Sequence, residues 1–102
     1  MTTEIKKPIK SPAFVNAVAM AKAHPDTFDV PPRSKREGVR MGQLVKVCCC
    51  EERFWVEVTG ALRLKKIYTG RIDNDLVHTD RHGLSYDDLV MFCPDNIYAI
   101  YD

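Results

Sequence analysis

The segment from Thr69 to Gly83 holds more polar and chemically capable side chains than any other part of the 102-residue chain. It follows a strand-like run and is rich in turn-forming residues. Carboxylate and imidazole groups such as these can bind a metal ion or transfer protons. The side chains concerned are Arg71, Asp73, Asn74, Asp75, His78, Asp80, Arg81 and His82. The sequence therefore places its first candidate functional site in this segment.

A metal-dependent enzyme is one interpretation of this segment, with the carboxylates, Asn and imidazoles as ligands. His78 and His82 are four residues apart, a spacing that places two side chains on one face only in a helix. The composition is instead that of a strand end and a turn, and the ligand spacing of a calcium-binding EF-hand is absent. Asp73, Asn74 and Asp75 more simply form a tight turn. We predict that these three residues fix the loop and that no metal or other cofactor is bound.

Motifs of the main enzyme classes are absent from the sequence. It contains no G-x-S-x-G, no H-E-x-x-H and no Gly-rich phosphate loop. A Cys–His pair could supply a nucleophile, but Cys48, Cys49, Cys50 and Cys93 all lie in strand-like segments. Three adjacent cysteines are unlike the C-x-x-C pairs of structural zinc sites. We predict reduced cysteines that fill strands as apolar side chains, in a chain that is not an enzyme.

Size and composition indicate one globular domain. Hydrophobic residues make up 45% of the chain and charged residues 28%, which is ordinary for a soluble protein. No apolar run approaches the roughly 20 residues of a membrane-spanning helix, and no secretory signal region precedes the domain, so a cytoplasmic location is expected. Residues 1–50 hold nine basic against four acidic residues, a net of +5, whereas residues 51–102 have a net of −4. This asymmetry favours an acidic partner for the N-terminal half.

Three segments precede the predicted sheet. Residues 1–10 are polar and Lys-rich, which is typical of a disordered arm. Residues 11–24 predict a helix, because Ser11 and Pro12 fit an N-cap and a first helical position, and an Ala-rich apolar stripe follows. That stripe either packs on the core of the chain or docks on a partner. Residues 25–41 form a basic, Pro-rich connector, which is either a solvated linker or a phosphate-contacting patch.

Residues 42–102 predict five short strands joined by turns. The predicted strands are residues 43–50, 54–59, 66–72, 89–93 and 97–101. Alternation within the second strand places Phe54, Val56 and Val58 on one face, and Trp55 on the other. The predicted fold is mainly β (α+β by content): a small five-stranded SH3-like barrel with an N-terminal helix. Closure into a barrel would remove the exposed strand edges.

Three segments resemble the YegJ-like bacterial domain of unknown function. They are Phe54-Trp-Val-Glu-Val-Thr-Gly60, Thr69-Gly-Arg-Ile-Asp-Asn-Asp75 and Gly83-Leu-Ser-Tyr-Asp-Asp-Leu-Val90, the last followed by Ile97-Tyr98. The arrangement is also similar to small proteins carried on plasmids and other mobile elements. The similarity covers roughly residues 42–100, and G-R-I-D-N-D is its most specific part. It implies a compact SH3-like barrel and no established activity.

We predict a non-catalytic binding module of a bacterial or mobile-element accessory protein. The loop of residues 71–82 would contact a protein partner, because it is richer in polar groups than a structural turn requires. The outward-facing Trp55 would either lie beneath the helix or serve as a recognition platform. An exposed strand edge would also allow a homodimer. The predicted partner-binding residues are Trp55, Arg71, His78, Asp80, Arg81, His82 and Tyr86.

Nucleic-acid binding is the alternative function. It is suggested by the +5 charge of the N-terminal half and by the basic turn that follows Gly60. Clustered Lys and Arg side chains release counterions from nucleic acid, so the affinity would fall steeply with salt. The candidate residues are Arg33, Lys35, Arg36, Arg40, Arg63, Lys65 and Lys66. The −4 charge of the C-terminal half counts against this alternative.

Overall fold

The computed structural model describes residues 8–101, except for the side chain of Arg63. Its strands are β1 (Ile9–Lys10), β2 (Leu44–Cys49), β3 (Glu52–Leu62), β4 (Ile67–Ile72), β5 (Leu89–Phe92) and β6 (Ala99–Tyr101). Its helices are α1 (Ala17–Ala23), α2 (Arg33–Glu37) and α3 (Thr79–His82), with 3₁₀ turns at Arg63–Lys65 and Pro94–Asn96. Most of the predicted disordered arm lies outside the described residues, but its last two residues form β1.

The six strands form one mixed, open sheet in the order β1-β5-β4-β3-β2-β6. Strands β2 to β5 form an antiparallel meander, β6 pairs antiparallel with β2, and β1 pairs parallel with β5. Within residues 8–101 no pairing joins β1 to β6. The α+β content is therefore confirmed, whereas the predicted five-stranded barrel is not found. Very short terminal strands occupy both edges instead, which limits edge-to-edge association without closure.

The main core lies on one face of the sheet. Phe54, Val56 and Val58 point into it and are at most 1% exposed, as the alternation along β3 predicts. The ring of Phe14 packs on Phe54 with 6.0 Å between centroids. The other buried members are Val39, Val45, Val47, Cys49, Tyr68, Ile72, Leu84, Val90, Phe92 and Ile97.

Helix α1 is shorter than the predicted helix of residues 11–24. It begins after Asn16, whose side chain accepts a hydrogen bond from the amide of Ala19 at 2.9 Å. The preceding segment is drawn onto the sheet, because the amide of Val15 donates to the carbonyl of Cys48 at 2.9 Å. Ala17, at the start of the helix, is buried in a second small cluster with Cys48 and Tyr98. The helix thus packs on the chain's own sheet.

The connector of residues 25–41 is partly helical and firmly held. Arg36 on α2 is only 7% exposed. Its Nε donates to the carbonyl of Pro31 at 2.9 Å, and its Nη1 lies 2.8 Å from Oδ1 of Asp95. The hydroxyl of Tyr68 donates to the carbonyl of Arg36 at 2.7 Å. A buried guanidinium is stable only with such partners. The contact with Asp95 attaches the connector to the turn at Pro94–Asn96, and the hydrogen bond from Tyr68 attaches it to the sheet.

Three turns use left-handed backbone conformations at residues other than Gly, one of them at Lys66 between β3 and β4, with a φ of 53°. The β2–β3 hairpin turns at Cys50 and Glu51, with φ of 51° and 67°, so β2 ends one residue before the end of the strand predicted over residues 43–50. Asp87, in the turn before β5, has a φ of 73°. Such conformations are unfavourable for residues with a β-carbon. In the described part of the chain, no helix combines the length and apolar character needed to cross a membrane.

Candidate functional site

A buried polar contact of the 71–82 loop joins His82 to Glu52, the first residue of β3. Their side chains are 1% and 10% exposed, and Nε2 of His82 lies 2.9 Å from Oε1 of Glu52. Nδ1 of His82 accepts a hydrogen bond from the amide of Leu84 at 3.1 Å, so Nε2 carries the hydrogen donated to the carboxylate. Glu52 also accepts from the amides of Val77 at 2.8 Å and His78 at 3.0 Å. One carboxylate thus holds three points of the loop.

These hydrogen bonds determine the charge state of Glu52. Burial by itself would raise the pKa of this carboxyl. The hydrogen bond from His82 and those from the amides of Val77 and His78 outweigh burial and lower the pKa to about 2. Glu52 is therefore ionised near neutral pH, and His82 is committed to holding it in place.

The predicted loop-structuring residues have different roles. Oδ1 of Asn74 accepts a hydrogen bond from the amide of Trp55 at 2.6 Å, and the amide of Asp73 donates to the carbonyl of Trp55 at 2.9 Å. The Asp73 carboxylate lies 4.0 Å from Arg71, and Asp75 is exposed. Asn74 and the backbone of Asp73 therefore attach the loop to β3, while Asp75 faces solvent.

Arg71 occupies the outer face of the sheet, opposite the main core. Its guanidinium lies 3.0 Å from Asp87, 3.5 Å from Glu57 and 4.0 Å from Asp73. Hydrogen bonding to Asp87, and then to Tyr86, raises the pKa of Arg71. The guanidinium is thus held by acidic neighbours, with a tyrosine ring beside it.

An aromatic pair lies further along the same face. The rings of Trp55 and Tyr101 meet edge to face with 6.1 Å between centroids, and Nζ of Lys46 lies 4.8 Å from the Trp55 ring centroid. Trp55 is half-buried, with Tyr101 rather than α1 as its described ring partner. In the pairing of β3 with β4, Glu57 lies opposite Arg71. Glu57 thus lies between the Trp55–Tyr101 aromatic pair and the guanidinium of Arg71. We call Trp55, Glu57, Arg71, Tyr86 and Tyr101 the outer stripe.

The predicted partner-binding set is divided by the sheet. His82 packs near Phe54 with 6.3 Å between ring centroids, on the core side, whereas Trp55 and Arg71 lie on the outer face. Asp80 is exposed on α3. Arg81, also on α3, is 48% exposed and 3.8 Å from Glu51. The structure therefore groups Trp55, Arg71 and Tyr86, and it separates them from His78, Asp80, Arg81 and His82.

Glu57 and Tyr101 are the members of the outer stripe that are absent from the predicted partner-binding set. Aromatic residues in strands, such as Tyr101, more often pack than bind. Its side chain is nevertheless 65% exposed on the edge strand β6. In the sequence, Tyr101 alternates with the apolar Ile100. This alternation is the signal that could have placed Tyr101 on the outer face, beside Trp55.

Metal-ligating side chains do not converge in the described part of the chain. No group of three His, Cys, Asp or Glu residues there is placed to hold a metal ion. Cys48 and Cys49 are buried, Cys50 and Cys93 are half-exposed, and all four are free thiols. Burial raises the pKa of Cys48, and burial followed by a hydrogen bond with Cys50 raises the pKa of Cys49 to about 11.

The basic residues of the nucleic-acid alternative are partly brought together. Arg33, Arg36 and Lys66 line one cavity with Lys22, whereas Lys35, Arg40 and Lys65 are exposed elsewhere. Arg63 belongs to the β3–β4 turn, and its side chain lies outside the described part. The structure thus selects three of the seven predicted residues and adds Lys22, which was not predicted.

No protein-family model, curated protein or solved structure matches the chain. The resemblance to the YegJ-like domain remains a prediction from three short segments. The geometry of the outer stripe and of the cationic cavity is the basis on which a function can be assigned.

Proposed function

We propose that the chain is a non-catalytic module that binds a protein partner through the outer stripe. The observation that carries this proposal is the exposure of aromatic rings on either side of Arg71. Tyr86 is 53% and Tyr101 65% exposed, with half-buried Trp55 beside Tyr101. Trp, Tyr and Arg are the residue types that contribute most often to binding energy at protein interfaces.

The outer stripe is better suited to binding than the 71–82 loop as a whole. Within the loop, His82 is engaged with Glu52, and Asn74 with the backbone of β3. A partner would have to break these hydrogen bonds in order to use them. A partner can cover the rings of Trp55 and Tyr101 without breaking a hydrogen bond. These aromatic side chains are also rigid, so they lose little conformational freedom on binding.

The charges around the outer stripe indicate the chemistry of the partner. Three carboxylates, from Glu57, Asp73 and Asp87, surround the single guanidinium of Arg71. Acidic groups around an aromatic surface favour a partner that offers apolar side chains flanked by Lys or Arg. The resemblance noted above suggests that such a module serves in a bacterial or mobile-element accessory protein of the cytoplasm.

Site-specific photo-crosslinking tests this proposal. Tyr101→p-benzoylphenylalanine and Tyr86→p-benzoylphenylalanine would be compared with Val77→p-benzoylphenylalanine, whose position is 77% exposed in the loop but outside the outer stripe. In nuclease-treated extracts, we expect a discrete protein adduct from positions 86 and 101 and none from position 77.

Alanine variants of the tagged protein make the test specific to the outer stripe. Trp55→Ala should abolish the adduct formed from position 101, whereas Asp80→Ala and Arg81→Ala should leave it unchanged. Circular dichroism would verify that each variant is folded. Adducts from position 77 alone, or loss of the adduct only in the Asp80 and Arg81 variants, would indicate that the binding site is on α3 and not on the outer stripe. Loss of every adduct on nuclease treatment would reject a protein partner.

A further inference from the structure

A cavity of about 510 Å³ lies between α1, α2, the β3–β4 turn and the 3₁₀ turn Pro94–Asn96. It shares no residue with the outer stripe. Its volume is within the range of about 300–1,000 Å³ that is usual for sites of small ligands. The charged residues in its lining are Lys22, Arg33, Arg36, Lys66, Glu37 and Asp95.

Positive charge exceeds negative charge in this lining, with four cations against two carboxylates. Arg36 and Asp95 form one pair at 2.8 Å. Glu37 lies 2.7 Å from Arg33 and 3.9 Å from Lys66, so one carboxylate serves two cations. A cavity with this balance attracts an anion.

The cationic groups differ in exposure, in a way that suits binding. The side chain of Arg36 is 8% exposed and is held by the carbonyl of Pro31, so its orientation is fixed before a ligand arrives. Lys66 is 58% exposed, and Lys22, in the last turn of α1, is also exposed. A fixed guanidinium beside two exposed ammonium groups fits a phosphate, which offers several acceptor oxygens and up to two charges.

A smaller and more apolar hollow continues from this cavity. It measures about 150 Å³, is lined by Leu62, Ile67 and Tyr68, and shares Glu37 and Lys66 with the larger cavity. A ligand that filled both spaces would carry an anionic group at one end and a flat or apolar body at the other.

We infer that the two adjoining hollows bind a phosphate group carried on a planar base, as in a nucleotide. The phosphate lies among Lys22, Arg36 and Lys66, with Arg33 beside them, and the base lies against Leu62 and Ile67. A phosphate can compete with Glu37 for its two cations, because its charge and its number of acceptor oxygens exceed those of one carboxylate. The same chemistry is present in a free mononucleotide and in a nucleotide of a single strand.

Two sets of probes distinguish these sources. Adenosine and thymidine 5′-monophosphates, with their nucleosides as controls, would be titrated by isothermal calorimetry. A labelled single-stranded DNA of about ten nucleotides, the size of a typical single-strand site, would be titrated by fluorescence anisotropy. If the natural source is a mononucleotide, a monophosphate binds at least as tightly as the strand; if it is a single strand, the strand binds more tightly. In either case the nucleosides bind at least about tenfold more weakly than the phosphorylated probe, because they lack the charged group.

Matched variants test the position of the site. Lys22→Gln and Lys66→Gln remove cations that line the cavity. Lys35→Gln and Arg40→Gln are the controls, because they remove exposed cations of the 25–41 connector that do not line the cavity. We expect about a tenfold loss of affinity in each of the first two, the scale of one charge-assisted contact, and less than twofold in the controls. All four positions are exposed, so the fold should persist, and circular dichroism would verify this.

Three results would overturn the inference. The first is that neither the monophosphates nor the strand bind. The second is that the nucleosides bind as tightly as the monophosphates. The third is that Lys35→Gln and Arg40→Gln weaken binding as much as the cavity variants, which would indicate diffuse electrostatic attraction.

Discussion

His82 donates its Nε2 hydrogen to Oε1 of Glu52 across 2.9 Å, in a contact from which solvent is almost excluded. The contact joins α3 to the first residue of β3. The two residues are 30 positions apart in the chain, and only the histidine belongs to the polar segment that the sequence singles out. The chemistry that makes the 71–82 loop look functional therefore serves in part to hold the loop on the sheet.

Acid should weaken the protein through Glu52. Its pKa is about 2 in the folded chain against an ordinary value of 4.5, so between these values the unfolded chain binds the extra proton. The stabilisation from this carboxylate is fully present above pH 4.5 and is lost as the pH falls towards 2. Denaturant unfolding of wild type and of Glu52→Gln across this range measures the effect. The two stability curves should converge in acid.

At neutral pH, Glu52→Gln should reduce the free energy of unfolding by about 1–3 kcal/mol, because buried donors lose a charged acceptor. Glu51→Gln is the matched control. Glu51 is 84% exposed, and its exposed pair with Arg81 contributes at most about 1 kcal/mol. Parallel curves for wild type and Glu52→Gln between pH 7 and 2.5 would contradict the assigned role.

Gly70→Ala should destabilise the sheet. A β-carbon at Gly70 would overlap Cγ1 of Val56 and would lie 2.9 Å from the carbonyl oxygen of Glu57. Displacing a core side chain and a strand backbone costs about 1–3 kcal/mol or more. Gly60→Ala is the control, because the added carbon would meet only the Thr69 hydroxyl, which can rotate away. Equal losses of stability in the two variants, measured by denaturant unfolding, would show that close approach at Gly70 is not limiting.

Glu51→Gly should stabilise the chain. The β2–β3 turn has two residues, both with positive φ, which is the geometry that Asn-Gly sequences favour. Relief of the left-handed strain should exceed the added backbone entropy and give a gain of about 0.5–1 kcal/mol. Glu51→Ala removes the same carboxylate without freeing the backbone, and it should give no such gain. The comparison is made by thermal unfolding.

The four thiols should differ in reactivity. Cys48 and Cys49 are buried, and burial is the main cause of their raised pKa values. Cys50 and Cys93 are half-exposed. Under native conditions at pH 8, iodoacetamide should modify the latter pair about tenfold faster or more, because only accessible thiolate reacts. Peptide mapping by mass spectrometry measures the order in which the thiols are modified. Urea-unfolded protein is the control, in which the difference in modification rate should disappear. Early modification of Cys49 would contradict its burial.

Local periodicity explains the parts of the fold that the sequence predicts well. Alternation along residues 54–59 identifies the core face of β3, because strand geometry requires it. The same rule places Trp55 and Glu57 outside. Helix α1 was expected too early, because Ser11 and Pro12 satisfy the local rules for a helix start while residues 13–15 are held by β2. The two-residue strand β1 carries no period at all, so the open sheet could not be distinguished from a closed one.

The site depends still more on contacts that sequence patterns do not contain. In the sequence, Glu52 is one of several polar residues near a turn. Only the structure shows that it is the hydrogen-bond partner of His82. Arg36 looks like a surface cation of a linker until Asp95 and Pro31 are seen around it. In each case a residue's role depends on a partner that is distant in sequence or unremarkable in type, and neither spacing nor composition specifies that partner.

The second cluster, in which Ala17 and Cys48 meet Tyr98, has a consequence for synthesis of the chain. Strands β2 to β5 pair in chain order and can pair as they emerge, since each contacts the next strand of the sequence. Helix α1 and the guanidinium of Arg36 have no complete binding surface until residues 94–98 have been made. A nascent chain therefore carries an uncovered helix and an unpaired cation until residues 94–98 have been synthesised.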